Sequence, residues 1–347
     1  MKIGKYCLNV MLGKRPQKTP PAKISPETQT VHQRKKDSGE IDKVKARKEH
    51  ELFRETHDKK WRKRRWATIL FVNLLFVFSY SLDIQILEGS LSASRFIGFH
   101  MADLNSALQV MLAYKTVLIN LLIGFITIFI LWILLGGRTF CSWACPYHLL
   151  SEIGEMIHIK LVEKKIIKNR LFSRKARVYL YIIFIVLTVG TGYTIYEAIS
   201  PTGIISRALI YGPTFALLWV LFLLTVEVFY SRRAWCKYAC PIGLSYGFVG
   251  LISPMKVNYN MVNCHHEGDC RKVCLVPHVL EWTIKGRSPD FNVQLGPDCT
   301  RCGMCIDVCP TDSLNFYFKG LSKVPSGEEK EGIETAIEEK KTEEESK

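Results

Sequence analysis

The sequence lacks two motifs that mark common carriers of redox chemistry. No C-x-x-C-H run for covalent haem attachment occurs among its 347 residues, and no G-x-G-x-x-G run follows a candidate strand. A covalent haem would therefore have to belong to a partner, and a dinucleotide hydride site is not indicated. Acidic charge is also scarce, because 47 Lys and Arg oppose 32 Asp and Glu, which gives a net charge of +15.

Apolar residues are plentiful, at 48% of the chain, and they gather in four runs at 66–82, 116–136, 178–199 and 208–230. Each run approaches the ~20 residues that an α-helix needs to cross ~30 Å of hydrocarbon. A helix on the surface of a soluble domain seldom stays apolar on every face for that distance. The sequence therefore predicts a polytopic α-helical membrane protein with four transmembrane helices.

Lys and Arg are distributed unevenly around these runs. The segment before Trp66, which ends in KKWRKRRW, and the loop 138–177 are strongly basic, whereas the loops 83–115 and 200–207 carry few basic residues. The positive-inside rule then places both termini, and everything after residue 230, in the cytoplasm. The basic N-terminal segment is expected to lie beside anionic membrane lipid rather than to bind nucleic acid, and no cleaved leader is indicated.

The twelve cysteines carry the clearest chemical signal. Cytoplasmic thiols stay reduced, which favours metal sites over disulfides. The run CTRCGMCIDVCP places Cys299, Cys302, Cys305 and Cys309 with the spacing of a two-cluster ferredoxin, in which the first three thiolates bind one cluster and the fourth binds the other. Structural zinc is the weaker alternative, because zinc sites usually pair two separated C-x₂-C knuckles.

A matching ferredoxin half is present at CHHEGDCRKVC, but Glu267 stands where its second cysteine would be. Its three cysteines divide between two clusters, and we name the resulting ligand groups the inner set, Cys274, Cys299, Cys302 and Cys305, and the outer set, Cys264, Cys270 and Cys309. The fourth ligand of the outer set stays open. An empty corner would give a [3Fe-4S] cluster, and the other candidates are the Glu267 carboxylate and imidazole from His265 or His266.

Two further cysteine pairs share the pattern R-x₂-C-x₃-C-P, beginning at Arg138 and at Arg233. We name their four cysteines the C-x₃-C-P site: Cys141, Cys145, Cys236 and Cys240. The spacing is expected to place both thiols of a pair on one face of a helical turn. The four thiols could converge on a third metal or cluster, face a cofactor of a partner, or form two separate structural pairs. The duplication favours a shared metal or redox site, whereas Cys7 stands alone.

The order of the motifs FCSWACP, AWCKYACPIG, CHHEGDCRKVCLVPHVL and CTRCGMCIDVCP resembles the NapH family over residues 62–318. Members of this family are ferredoxin-type membrane components of the quinol dehydrogenase that serves periplasmic nitrate reductase. The resemblance implies two [4Fe-4S] clusters, a location in the bacterial inner membrane, and electron flow from quinol toward a periplasmic ferredoxin-type or multihaem cytochrome partner. Glu267 departs from the family's pattern, which leaves the state of the outer cluster open.

The predicted organisation has four parts, namely a basic and partly disordered tail (1–65), a four-helix membrane domain (66–255), a ferredoxin-like iron–sulfur domain (256–320) and a disordered charged tail (321–347). The alternative function is a polyferredoxin that supports assembly or maturation of a periplasmic or membrane metalloenzyme. Candidate proton acceptors for a quinol site are Asp83, Glu88, His100, Asp103, His148 and Glu197. Glu227 is a further candidate, although an ion pair with Arg232 or Arg233 is its favoured explanation.

Overall fold

The computed structural model describes residues 3–14, 24–37, 60–82, 87–96, 99–170 and 172–321. Its helices are α1 (Ile3–Met11), α2 (Pro26–Asp37), α3 (Lys60–Ser81), α4 (Leu104–Tyr114), α5 (Ile119–Leu135), α6 (Thr139–Trp143), α7 (Pro146–Glu163), α8 (Ala176–Thr191), α9 (Ile195–Ile199), α10 (Pro201–Tyr211), α11 (Leu217–Phe229), α12 (Ile242–Ile252), α13 (Asp269–Val273) and α14 (Met304–Asp307). A π-helical turn covers Trp235–Ala239, and a 3₁₀ helix covers Pro277–Thr283. The strands are β1 (Leu87–Ser90), β2 (Ala93–Phe96), β3 (Phe99–Ala102), β4 (Met255–Asn260), β5 (Asn292–Gln294) and β6 (Leu314–Phe318).

The prediction of four transmembrane helices is wrong: across the described residues, no helix combines the length and the apolar character needed to cross a bilayer. The second, third and fourth apolar runs are longer than the helices they form, whereas the first lies almost wholly within the 22-residue α3. Helix α5 ends after 17 residues at Gly136, and α8 ends after 16 residues at Gly192, each glycine taking a left-handed conformation. Gly212 separates α10 from α11. The first turns of α3 consist of the charged sequence KWRKRR.

The helical region packs around the two C-x₃-C-P loops. Its buried core holds Phe140, Tyr147, Tyr196, Trp235 and Tyr246. Stacking of Phe140 on Tyr246, with ring centroids 5.0 Å apart, ties α6 to α12. A small antiparallel sheet in the order β1-β2-β3 follows α3 in the chain. The aromatic core thus fixes the loops that carry the four thiols.

The ferredoxin-like region is built on an antiparallel sheet in the order β5-β4-β6. Strand β4 lies in the centre, and Tyr259 is paired with Leu314 of β6. The cysteine runs lie between these strands and enclose a core that includes Val257, Leu280 and the inner-set thiols. Helix α2 adds Val31 to this core, so a piece of the predicted N-terminal tail is packed. The rest of that tail at 15–23 and 38–59, and the C-terminal tail at 322–347, lie outside the described residues.

The carboxylate of Asp298 joins the ferredoxin-like region to the helical region. Arg138 Nη1 donates to Oδ1 at 2.9 Å, Arg177 Nη2 donates to both oxygens at 3.1 and 3.2 Å, and His278 Nε2 lies 2.8 Å from Oδ2. Asp298 is only 2% exposed. Burial opposes its ionisation, but Arg177, Arg138 and His278 hold its pKa well below the usual range. Arg177 also bonds to Met11 O at 2.8 Å, so α1 is held at the same junction.

Two glycines allow the loop after α5 to pack closely against its neighbours, Gly136 against the ferredoxin-like region and Gly137 against α12. Gly136 has φ 113°, and a Cβ there would lie 2.4 Å from Arg301 Cδ. Gly137 has φ 69°, and its Cβ would lie 2.5 Å from Tyr246 O. Any side chain at these positions would push Arg138 away from Asp298, because the obstacles include backbone as well as side chain.

Part of the basic run before residue 66 packs into the folded structure, whereas Lys63 and Arg64 are exposed. Arg65 is fully buried, where it forms an ion pair with Glu152 and lies 3.2 Å from His148 Nε2. Trp61 donates its backbone N–H to Asp307 at 2.9 Å, across from the inner set. Because Lys60–Ser81 is one helix, the predicted domain boundary at 65/66 falls inside it.

Replacing Asp298 by Asn should destabilise the whole chain. The variant would leave Arg138 and Arg177 buried without a counter-charge, which costs about 3–5 kcal/mol when one partner of a buried ion pair is removed. Urea unfolding of the full chain measures the change. Glu163→Gln, at an exposed carboxylate at the end of α7, is the control and should change stability by less than about 0.5 kcal/mol. Equal stability of Asp298→Asn and the control would contradict the role of this junction.

Candidate iron–sulfur sites

The four inner-set thiols meet in the core of the ferredoxin-like region. Cys274, Cys299, Cys302 and Cys305 are all buried in one cluster of side chains. Burial, and then the charges of Cys302 and Cys299, raise the pKa of Cys274 well above its usual value. Burial and Cys274 do the same to Cys305. Mutual repulsion of this kind requires the four sulfurs to be close together, so a cationic iron core would relieve it.

The loop between the inner-set cysteines depends on Gly303. Its φ of 75° is a left-handed conformation, and a Cβ there would lie 2.5 Å from the Trp61 ring. Trp61 also contacts Trp143 and Phe316 edge-on, with ring centroids 6.2 and 5.0 Å away. The indole of Trp61 therefore leaves no room for a side chain at position 303.

The outer-set thiols are less buried and lie around Tyr259. The pKa of the Tyr259 phenol is raised by burial and then by Cys264, Cys270 and Cys309. Burial also raises the pKa of Cys270 to about 11. A hydrogen bond with Thr283 opposes this rise, and Cys264 and Cys309 add to it. The three thiols therefore face one common space. A three-thiol donor set fits a cluster that lacks one thiolate ligand.

The residues that could complete the outer set differ in exposure. His265 is exposed, whereas His266 and Glu267 are half-buried. His266 has φ 59°, its Nδ1–H donates to Thr283 O at 2.9 Å, and its backbone N–H points to Cys264 Sγ at 3.3 Å. The state of the fourth corner of the outer cluster, whether empty, bound by Glu267 or bound by a histidine, stays a prediction.

The C-x₃-C-P motif places its second cysteine at a helix N-terminus. Pro146 begins α7, and the backbone N–H of His148 bonds to the Cys145 sulfur. Pro241 precedes α12 in the same way, and Gly243 and Ile242 donate to the Cys240 sulfur. A proline at the start of a helix loses no hydrogen bond, and the free N–H groups favour thiolate. Cys141 lies in α6 and Cys236 in the π-helical turn. Cys145 and Cys240 follow these elements, and their backbone N–H groups bond to Phe140 O at 3.2 Å and to Trp235 O at 2.9 Å.

All four thiols of the C-x₃-C-P site line one cavity, together with Arg138 and Arg233. Burial, opposed by Arg138 and reinforced by Cys240, raises the pKa of Cys141 to about 11. Cys141 and Cys240 likewise add to the effect of burial on Cys145, whose pKa is about 12. The two pairs therefore lie beside each other around one cavity. Tyr196 Oη lies 3.5 Å from Cys240 Sγ, and Thr202 Oγ1 lies 3.1 Å from Cys145 Sγ.

Among the candidate proton acceptors, Asp103, His148 and Glu227 are buried near the C-x₃-C-P site. Tyr246 Oη donates to Asp103 at 2.7 Å, and burial raises the pKa of this carboxyl to about 6. Burial and the neighbouring Arg233 and Arg65 lower the pKa of His148 well below its usual value. Glu227 accepts the Trp235 N–H at 3.1 Å. The favoured ion pair of Glu227 does not form, because Arg232 and Arg233 pair with Glu155 instead.

The remaining proton-acceptor candidates lie elsewhere. Glu197 pairs with Arg207 and accepts from Ser106 Oγ at 2.8 Å, and His100 is exposed. Asp83 and the side chain of Glu88 lie outside the described structure. Sequence reasoning missed Asp298 and Trp61, for which the only signals were their positions beside Cys299 and within the basic run.

Within the described ranges, no three His, Cys, Asp or Glu side chains are grouped to chelate a single metal ion. A cubane makes a different demand, because it spreads its thiolates over separate irons. The inner set and the C-x₃-C-P site each offer four thiols of this type, and two buried arginines offset the charge of the latter. The donor chemistry at both places fits an iron–sulfur cluster.

Comparison with known proteins agrees with this donor chemistry. Family models described as "4Fe-4S binding domain" match residues 117–168 and 212–260, which contain the two C-x₃-C-P pairs, and residues 298–315. No solved structure matches the chain.

Three relatives are informative. Ferredoxin-type protein NapH of Escherichia coli (strain K12) is 28% identical over 290 residues, which cover 81% of this chain and 100% of that protein. Methylamine utilization ferredoxin-type protein MauN of Paracoccus denitrificans (strain Pd 1222) is 31% identical over 62% of this chain and 75% of its own length. Putative electron transport protein YccM of Escherichia coli (strain K12) is 30% identical over 56% of this chain and 53% of its own length. The chain therefore belongs to the NapH family of ferredoxin-type proteins and is an iron–sulfur electron-transfer protein.

Proposed function

We propose that the chain passes electrons from a quinol toward a periplasmic reductase, with nitrate reductase as the first candidate and a ferredoxin-type or multihaem cytochrome as the immediate redox partner. The observation that carries the proposal is the contact between the C-x₃-C-P site and the inner set through Arg138, Ser142 and Trp143. The resemblance to NapH supports the quinol and the nitrate reductase. The name of the MauN relative supports methylamine utilization as the other system that such a chain could serve.

Iron–sulfur clusters bound at the thiol sets would supply reversible one-electron storage. We propose that the inner set holds one [4Fe-4S] cluster, that the outer set holds a second whose fourth corner is weakly ligated, and that the C-x₃-C-P site holds a third. Arg138 and Arg233 compensate the thiolate charge of that third site. Location at the bacterial inner membrane, with the iron–sulfur region on the cytoplasmic side, stays a prediction.

Quinol oxidation releases protons as well as electrons, so the site needs a buried proton acceptor. Asp103 suits this role because its pKa, raised by burial to about 6, lies near the operating pH. Tyr246 donates a hydrogen bond to Asp103 and stacks on Phe140, the residue before Cys141. The proton and the electron released by quinol would therefore be accepted at neighbouring places. His148 on α7 and Glu227 on α11 are the second choice.

Replacing Asp103 by Asn should slow quinol-driven reduction by about 10²-fold or more, the usual contribution of a general base. Asn also caps helices, so α4 should keep its start. The measurement is bleaching of the iron–sulfur absorbance when a reduced quinone analogue is added anaerobically. Dithionite should still bleach the variant at the normal rate, and Glu163→Gln serves as the control. An unchanged quinol rate would exclude Asp103. A wild type that only dithionite reduces would remove quinol from the proposal.

The four C-x₃-C-P thiols should behave as one site. Cys141→Ser and Cys236→Ser should each lower the iron content by about four atoms per chain, the content of one cubane. The double variant should lose no more than either single variant, because residues that share a site are non-additive. Cys7→Ser is the matched control and should leave the iron content unchanged. Losses that simply add would mean two independent structural pairs.

The outer set should hold a labile cluster. Mild oxidation of anaerobically purified protein should give a three-iron paramagnetic resonance signal, because a carboxylate or water holds the corner iron less firmly than a thiolate. Glu267→Cys should suppress that signal. If oxidised wild-type protein lacks the signal and keeps all its iron, the corner is firmly ligated.

A further inference from the structure

Arg138 lies at the junction between the C-x₃-C-P site and the inner set. Its Nη1–H donates to the Asp298 carboxylate at 2.9 Å and to the Asp298 carbonyl at 3.0 Å. The same guanidinium bonds to the Cys141 thiol. Cys299 follows Asp298 directly in the chain. One buried cation, 4% exposed, therefore contacts a thiol of one set and the residue next to a thiol of the other.

Two further hydrogen bonds hold the same segments together. Ser142 Oγ–H donates to Thr300 O at 2.6 Å, and Trp143 Nε1–H donates to Arg301 O at 3.1 Å. Thr300 and Arg301 lie between Cys299 and Cys302 of the inner set, and Ser142 and Trp143 lie between Cys141 and Cys145. The two ligand loops are thus bonded to each other along their length, which fixes the position of the guanidinium between them.

Arg233 occupies the equivalent position in the second motif but faces another direction. Its Nε lies 2.7 Å from Glu155 Oε2 on α7, and its Nη2 lies 3.3 Å from His148 Nε2. It is as buried as Arg138, at 3% exposed. The duplicated motif therefore supplies two matched arginines beside one thiol site, of which Arg138 is the one bonded to the ferredoxin-like region.

We propose that Arg138 is the positioning residue that couples the C-x₃-C-P site to the inner set, so that reduction of one set changes the redox potential of the other. Arg233, in contrast, acts on the potential of the C-x₃-C-P site alone. The inference rests on the proposed function, since it requires a cluster at both places. The event is the gain of one electron by one set and its loss by the other; no bond forms or breaks. A fixed cation in a dry site stabilises the added charge on either side of it.

The test compares Arg138→Gln with Arg233→Gln in the full chain, purified anaerobically with its iron. Redox titration followed by electron paramagnetic resonance gives the midpoint potential of each cluster. We expect Arg138→Gln to lower the potentials of both the C-x₃-C-P and the inner cluster, because reduction loses a nearby cation. Arg233→Gln should lower only the first. Iron analysis and thermal unfolding establish that both variants are folded and loaded.

Arg138→Lys and Arg233→Lys provide a second comparison if a glutamine variant fails to fold. A lysine keeps the charge but cannot hold Cys141 and Asp298 together as a guanidinium does. The inner-cluster potential should therefore fall in Arg138→Lys, by less than in Arg138→Gln, and should stay at the wild-type value in Arg233→Lys.

The inference is wrong if the Arg138 variants leave the inner-cluster potential unchanged, or if the Arg233 variants move it as far. It is also wrong if wild-type protein carries iron at the inner and outer sets but none at the C-x₃-C-P site. That last outcome would leave electron transfer by the ferredoxin-like region intact. Clusters that neither accept nor donate electrons would instead contradict the proposed function itself.

Discussion

The buried carboxylate of Asp298 is the constraint on which the arrangement of the thiol sets depends. Arg138, Arg177 and His278 reach it from the first C-x₃-C-P loop, from α8 and from the ferredoxin-like region. Charges so far from water are tolerated only when their partners are present and well placed, since each ion loses several kcal/mol of hydration. The three elements must therefore meet in one geometry. That requirement brings Cys299 next to the loop of Cys141.

Charge balance explains why the C-x₃-C-P motif includes an arginine and a proline in addition to its two cysteines. Burial alone raises the thiol pKa values, which disfavours the thiolates that iron requires. The proline starts a helix whose first N–H groups donate to the second cysteine, and the arginine three residues before the first cysteine brings a buried positive charge. Both devices favour thiolate, and both occur in each copy. The motif therefore supplies groups that stabilise the negatively charged thiolates as well as the cysteine ligands themselves.

The sequence predicted the local features of the site well and its long-range contacts poorly. Cysteine spacing predicts the inner and outer sets because a cluster takes most of its ligands from one short run, and their role as cluster ligands stays a prediction. The bond between Arg138 and Asp298 spans 160 residues, and no local pattern announces it. The prediction of four transmembrane helices was wrong for a different reason. An apolar run gives the composition of a segment but does not tell where the helix in it ends. Gly192 ends a helix inside one such run, and Gly212 separates two helices inside another.

The basic residues at the start of α3 show how burial changes the interpretation of a charge pattern. Arg65 neutralises Glu152 inside the protein, and Trp61 covers the loop of Gly303 while touching Trp143 of the first C-x₃-C-P loop. The start of α3 thus contacts both the loop of the inner set and the first C-x₃-C-P loop. Side chains that exclude water lower the local dielectric, which strengthens electrostatic interactions between nearby charges. If both sets hold clusters, as proposed, the indole of Trp61 would therefore strengthen the coupling between them without itself being a ligand.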